Sequence, residues 1–271
     1  MKLSLIVMSI LCAAAAFGAQ PHSNSIVVQL TAVSQFLIPA AGSTPGVNGT
    51  FFHSDISIVN FASHDQIVKI QWLPQSGAAG STTTLTIPAQ SGIRSADFVA
   101  TYLNQTGLGA MLVTGMTSGG VPDSSALLYA SSRIWTPQPG SAGTTSQSLP
   151  AIPTSTVNTQ VAALFAVGGA DNPSNYRTNV GIVNLDPVNA QTYLVLLPTS
   201  TGGATMGTQV TIAPMSMQLV GLGSGIGPTQ EILIQNVTTT GRSNSWMAYG
   251  SSIDNVTGDA WSELAVAGTA Q

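Results

Sequence analysis

Charged residues are scarce in this 271-residue sequence. Lysine, arginine, aspartate and glutamate together make up 6% of it, against a usual share of about 25%. The formal net charge of -4 rests on so few groups that the sequence has no basic stripe for phosphates and no polybasic patch for a membrane surface. We therefore expect no nucleic-acid partner, and a surface rich in neutral hydroxyl and amide groups.

Cysteine is almost absent as well. Cys12 is the only cysteine, and it lies in the uncharged run LSLIVMSILCAAAAF that follows Met1 and Lys2. This run has the length of a signal-peptide core and is short for a bilayer span. We predict a signal peptide over residues 1–19, the alternative being a buried N-terminal helix. The exported chain then keeps no membrane span and no cysteine, so packing must stabilise it without disulfides.

The motifs of several common enzyme classes are missing. The sequence has no G-x-S-x-G elbow, no G-x-x-x-x-G-K-[ST] phosphate loop and no H-E-x-x-H zinc helix. The glycine-rich stretch at 221–227 lacks the G-x-G-x-x-G spacing and predicts a loop. His64 and Asp65 lie in a predicted turn, where neighbouring side chains usually point apart, which does not suit a Ser-His-Asp relay. We therefore expect no catalytic activity and no cofactor.

A strand, a turn that begins with asparagine and a second strand that ends in Leu-Pro occur twice. The copies are residues 51–74 and 175–198. Three landmark pairs are each 124 positions apart: Asp55 and Asn179, Asn60 and Asn184, Pro74 and Pro198. Apolar and polar residues alternate in the strands, which is typical of an antiparallel sheet with one wet face. We predict an internal duplication; two unrelated β-units of similar pattern are the alternative.

The alternation also predicts the domain organisation. It places Trp72 in a core with Ile58 and Ile70, and Lys69 on the opposite face. Residues 95–104 predict a short helical turn, and 137–158, rich in Pro, Ser, Thr and Gly, predict a linker or long surface loop. The fold is predicted as all-β, with two tandem immunoglobulin-like β-sandwich units over 26–136 and 159–268. A barrel is the alternative.

Several segments of the chain resemble a group of exported bacterial proteins of uncharacterised activity. The segments are IPAAGSTPGVNGTFFHSDISIVN, SSRIWTPQPG and NYRTNVGIVN. Those proteins carry paired β-units with a motif similar to G-x-x-G-T-F-F-R-T-D, followed by an alternating strand and asparagine. The resemblance covers most of the chain after residue 19, and it implies export and tandem β-units. The arginine of the motif is replaced by His53 in the first unit and kept as Arg177 in the second.

One loop has the composition of a metal site. Asp254, Asn255, Thr257 and Asp259 place four oxygen donors within six residues, and calcium prefers such donors on a flexible loop. The same residue types are common in a turn between strands, and the spacing does not match the helix-loop-helix calcium motif. The loop is therefore either a calcium site or a simple turn.

The two hairpins differ in the residues predicted to point outward. At an offset of 124, outward positions that are polar in the first hairpin become Gly181, Tyr193 and Val195 in the second. A soluble monomer rarely exposes a contiguous apolar patch, so we expect the first unit, a second chain or a surface partner to cover this face. The alternative is a Tyr193 ring that lies flat and half exposed.

Two functions fit these features. The first is a non-catalytic, exported structural or adhesive surface protein, because the repeated units and charge-poor surface suit that role. The second is a carbohydrate-binding module of the cell envelope or extracellular space, with a surface glycan as its ligand. That function needs exposed aromatic side chains, for which Trp135, Trp246 and Trp261 are candidates; each also suits a core or an interface.

Overall fold

The computed structural model describes residues 33–268, apart from gaps at 47–48, 76, 78–79, 139, 141, 166–172, 199–203, 225 and 227–230. The predicted signal peptide, including Cys12, lies outside the described residues. Within them, no helix is both long and apolar enough to cross a membrane.

The nine strands of the first half pair into one continuous antiparallel sheet, which folds into two layers. We call these layers sheet A (β4-β3-β6-β1-β9) and sheet B (β5-β2-β7-β8). The strands are β1 (Gln35–Pro45), β2 (Phe51–Asn60), β3 (Gln66–Pro74), β4 (Thr82–Ile87), β5 (Ser91–Ser95), β6 (Gly107–Met116), β7 (Leu128–Pro137), β8 (Thr144–Pro150) and β9 (Ile152–Pro153). Helix α1 (Phe98–Leu103) confirms the predicted helical turn. Strand β1 pairs with β6 and then with β2, so it joins the two sheets.

The second half repeats this order strand for strand. Its strands are β10 (Val161–Phe165), β11 (Tyr176–Asn184), β12 (Gln191–Pro198), β13 (Ala204–Ile212), β14 (Ser216–Ser224), β15 (Glu231–Asn236), β16 (Trp246–Asp254), β17 (Ala260–Leu264) and β18 (Val266–Gly268). They form sheet C (β13-β12-β15-β10-β18) and sheet D (β14-β11-β16-β17). The fold is therefore all-β and sandwich-like, and strand n of the first half corresponds to strand n + 9 of the second.

Alternating side chains build the core between sheets A and B. Ile58 of sheet B and Ile70 and Trp72 of sheet A are fully or almost fully buried, and Phe98 of α1 joins them. Lys69, one position from Ile70, is exposed. The predicted inward position of Trp72 is confirmed, because period-two burial holds along the second half of β2 and most of β3.

Asn60, the asparagine that begins the first turn, joins three segments of the chain through its side-chain hydrogen bonds. Asn60 is fully buried, and its Nδ2 donates to the carbonyl oxygens of His64, Ile87 and Pro88 at 2.8, 3.2 and 3.1 Å. Its Oδ1 accepts a hydrogen bond from the Ala62 N–H at 2.9 Å. One side chain therefore ties the end of β2 to the β2–β3 turn and to the end of β4.

Asn184 makes the same four bonds in the second half. Its Nδ2 donates to the carbonyl oxygens of Asn189, Ile212 and Ala213, and its Oδ1 accepts from the Asp186 N–H. Buried polar groups must be hydrogen-bonded, and only an amide offers two donors and an acceptor at such a junction. The repeated asparagine thus marks the same junction in both halves.

The middle of the predicted linker is strand instead. Strand β8 lies within residues 137–158 and pairs with β7 along its whole length, and β9 pairs with β1. β8 also contacts the second half: Ser251 Oγ donates to Gln147 Oε1, and Ser262 Oγ to the Ser148 carbonyl, both at 2.9 Å. The linker prediction was wrong because serine, threonine and glutamine replace the apolar residues that usually reveal a strand.

An apolar layer joins the two halves, between the outer faces of sheets A and D, with Leu149 added from β8 of sheet B. We call it the central interface. Its buried members are Leu37, Ala40, Leu73, Ala110 and Leu149 of the first half and Val183, Met217, Met247 and Tyr249 of the second. Ala32–Gln271 accordingly forms one compact unit.

Candidate functional site

The predicted outward positions of Tyr193 and Val195 were wrong. Tyr193 is 0% exposed and Val195 2% exposed, and both lie in the core between sheets C and D. The turn after Asn184 is one residue longer than the turn after Asn60, so β12 begins at Gln191 rather than one position earlier. A one-residue slip moves every side chain of a strand to the opposite face.

Gly181 does lie on a covered face. It pairs with Tyr249 across β11 and β16, and a Cβ at Gly181 would lie 2.0 Å from the Tyr249 ring. That ring is part of the central interface. The second half therefore has an apolar face covered by the first half, but the face belongs to sheet D rather than to β12.

The loop at 254–259 is held by its own hydrogen bonds. The Asp254 carboxylate accepts from the backbone N–H two residues on at 2.8 Å and from Thr257 Oγ1 at 2.7 Å. The Thr257 bond is the main cause that lowers the pKa of Asp254. Asn255 Oδ1 accepts from the Arg177 guanidinium, and Asp259 Oδ1 from the N–H of the next residue. Among the described residues, no group of three or more His, Cys, Asp or Glu could hold a metal ion.

We predict that EDTA leaves the melting temperature of the chain lacking residues 1–19 unchanged, because the loop oxygens already accept hydrogen bonds from the chain. Thermal melts with EDTA, with added calcium and with magnesium as a control for ionic strength test this. A rise of several degrees with calcium alone would support the metal site instead, since a ligand that binds only the folded state stabilises it.

The candidate tryptophans lie in three different environments. Trp246 is fully buried in the core of the second half, with its ring centroid 4.9 Å from that of Tyr193. Trp135 is half-buried, and its Nε1 donates to the Ala96 carbonyl at 2.8 Å. Trp261 is 63% exposed on β17, an edge strand of sheet D. Of the three, Trp261 alone has a ring exposed enough to stack against a ligand.

A different surface brings polar and aromatic side chains together. On the outer face of sheet B, which we call the open face, residues of β2 lie directly opposite residues of β7. The pairs are His53 and Trp135, Asp55 and Arg133, Ser57 and Ser131, and Val59 and Tyr129. The corresponding face of sheet D is buried in the central interface, so equivalent faces of the two halves have opposite environments.

An ion-pair cluster lies at the centre of the open face. Asp55, whose side chain is 9% exposed, accepts from Arg94 Nε at 2.9 Å and from Arg94 Nη2 at 2.7 Å, and Arg133 Nη2 lies 3.5 Å away. The bond to Arg94 is the main cause that lowers the pKa of Asp55. Two of the chain's six lysines and arginines therefore meet at one carboxylate, which leaves the cluster with a net positive charge.

A groove of about 710 Å³ runs over this cluster, lined by Asp55, Arg94, Arg133 and Tyr129 and, on the β8 side, by Pro150. Tyr129 is 56% exposed. It lies four residues from Arg133 along β7, which is about 13 Å at about 3.3 Å per residue. The groove is thus long, shallow and bordered by a cation at one end and an aromatic ring at the other.

A histidine and an aspartate also meet on this side of the first half. His53 Nδ1 lies 2.8 Å from Asp97 Oδ2, and the His53 ring stacks on Trp135 with centroids 4.8 Å apart. Ser43 Oγ donates to the same Asp97 oxygen at 3.0 Å. In a catalytic triad the serine contacts the imidazole instead, so this arrangement orients the histidine without activating Ser43.

Comparison with known proteins assigns no function to these sites. No family model matches the chain, and no curated protein matches it. Among solved structures it is similar to Thermotoga maritima 1070, at 10% identity and a TM-score of 0.32, over 45% of this chain and 95% of that one. A likeness of that size defines no function.

Proposed function

We propose that this is an exported, non-catalytic surface protein whose open face binds a glycan. The observation that carries the proposal is the difference between the equivalent faces of the two halves. Strand pairing makes Leu219 and Ser251 of sheet D the counterparts of Arg94 and Arg133 of sheet B. One face is covered by the other half, whereas its counterpart carries arginines and an exposed tyrosine.

The chemistry of the groove suits an acidic sugar. An aromatic ring such as Tyr129 offers a flat apolar surface with a polar tip, which matches the C–H face of a sugar ring. Arginine presents a planar fork of donors that fits a carboxylate. The Ser57 and Ser131 hydroxyls, 2.8 Å apart between the two ends, add donors and acceptors for sugar hydroxyls. The net positive cluster favours uronate-type residues over neutral ones.

A purely structural role is the second candidate. The central interface favours it, because a shared apolar layer packs the two halves into one compact unit. Adhesion through a glycan and a structural role are compatible, so the difference between them is whether the open face has a ligand.

A glycan array with the chain lacking residues 1–19 tests the proposal. We expect binding to acidic glycans. Arg133→Gln should reduce it about tenfold or more, since a hydrogen bond to a charged group contributes about 1.5–3 kcal/mol. Tyr129→Ala should also reduce it, because it removes the flat apolar surface that faces the sugar ring. Arg133 is chosen because the closer bidentate contact of Arg94 with Asp55 stays intact.

Trp261→Ala is the matched control, because Trp261 is an equally exposed aromatic on the other half. It should leave glycan binding unchanged. If no glycan on the array binds, the structural role is the remaining candidate. If Trp261→Ala alone loses binding, the glycan site lies on β17 instead.

A further inference from the structure

A second cavity system lies between the two halves, away from the open face. An outer cavity of about 490 Å³ and an inner cavity of about 290 Å³ are both lined by Phe52, Ile134, Gln147, Arg177 and Ile253. Because they share these five residues, the two cavities lie side by side, and we call them together the cleft. Ligand sites in proteins have volumes of about 300–1,000 Å³ and occur preferentially at such junctions.

The two ends of the cleft differ in chemistry. The inner cavity is lined by Met217, Leu219 and Tyr249 of the central interface and by Leu108. The outer cavity is lined by polar groups, including Gln138 and Thr257, whose side chain and carbonyl form a 3.0 Å hydrogen bond across the halves. A ligand with an apolar body and a polar head would match this gradient.

Arg177 lies where the two cavities meet and is half-buried. Its hydrogen bond goes to the neutral amide of Asn255, and none of the described carboxylates forms an ion pair with it. Asp254 also lines the outer cavity, but its oxygens accept from the loop itself. In the first half the corresponding residue is His53, which contacts Asp97 at 2.8 Å. The second half thus carries a half-buried cation that forms no ion pair with a described carboxylate.

We propose that the cleft binds a small monocarboxylate with an apolar body, with its carboxylate on Arg177 and its apolar body among the side chains of the central interface. One guanidinium matches one carboxylate through two parallel hydrogen bonds. A doubly charged phosphate would meet only one cation, with Asp254 nearby, which is why a carboxylate is the better match.

Octanoate is the probe, and octanamide, acetate and octyl phosphate are the comparison ligands. Isothermal titration and thermal melts measure their binding to the chain that lacks residues 1–19 and carries no substitution. We expect octanoate to bind and raise the melting temperature. Octanamide should bind about tenfold or more weakly, because it lacks the charge, and acetate should not bind, because it lacks the apolar body. Tighter binding of octyl phosphate would contradict the carboxylate class.

Arg177→Gln should reduce octanoate affinity to that of octanamide. Arg242→Gln is the control and should leave octanoate affinity unchanged; the Nε of Arg242 donates to the Thr238 carbonyl. Methionine methyl NMR locates the site without any variant. The Met217 resonance should shift with octanoate, and that of Met111, in the core between sheets A and B, should not. The proposal fails if octanoate does not bind, if octanamide binds equally well, or if the Met217 resonance stays unchanged.

Discussion

Val195→Lys should lower the free energy of unfolding by about 4–7 kcal/mol, which is the cost of shifting a buried lysine pKa by about 3–5 units. Val195 is 2% exposed in the core between sheets C and D. Urea melts of the variant and the parent chain measure the effect.

Leu194→Lys is the control. Leu194 lies one position away on the outer face of β12, where it is half-buried, and the corresponding residue of β3 is Lys69. It should cost about 0.5 kcal/mol or less, as surface changes usually do. Equal losses in the two variants would mean that the faces of β12 have been assigned wrongly.

Trp72→Ala should cost about 3–5 kcal/mol, as large-to-small core changes of this size do. Trp72 is 1% exposed and is in the same buried cluster as Ile58 and Ile70. Its ring also fills the space above Gly109, where an added Cβ would lie 2.5 Å from a ring atom. The substitution therefore removes a filling side chain from a closely packed site.

Lys69→Ala is the matched substitution on the exposed face of the same strand, and we expect a change within about 0.5 kcal/mol. Denaturant midpoints of the two variants, at unchanged m-value, give the comparison. Two equally mild variants would contradict the assignment of the inner face of β3.

Local pattern was sufficient to predict the first core and most of the strands. The loop predicted at 221–227 was wrong over 221–224, which belong to β14. Period-two alternation placed Ile58, Ile70 and Trp72 inward, and the repeated Asn60 and Asn184 proved to make the same bonds. The same pattern failed at Tyr193, because the 124-residue spacing is kept at Pro74 and Pro198 but not within the strand. The second turn is one residue longer than the first, and β12 is one residue shorter than β3, so the two differences cancel at the prolines.

The candidate sites depend on contacts between distant parts of the chain, which no local pattern reports. Asp55, Arg94 and Arg133 lie on three different strands and meet only because β2 lies between β5 and β7. Strand β8 was missed because its polar residues look like a linker. The scarcity of charge was a usable signal: two arginines on one carboxylate stand out in a chain with six cations.

The central interface also determines how the chain would respond to oxidants. Met217 and Met247, 1% and 7% exposed, pack within it. Oxidation to the sulfoxide turns this flexible apolar side chain into a polar one. Packing of the halves against each other shields both sulfur atoms. If the halves separated, the sulfur atoms would be exposed, and a sulfoxide formed then would oppose repacking. For a chain without cysteine after residue 19, oxidation of these two methionines would therefore indicate that the halves had separated.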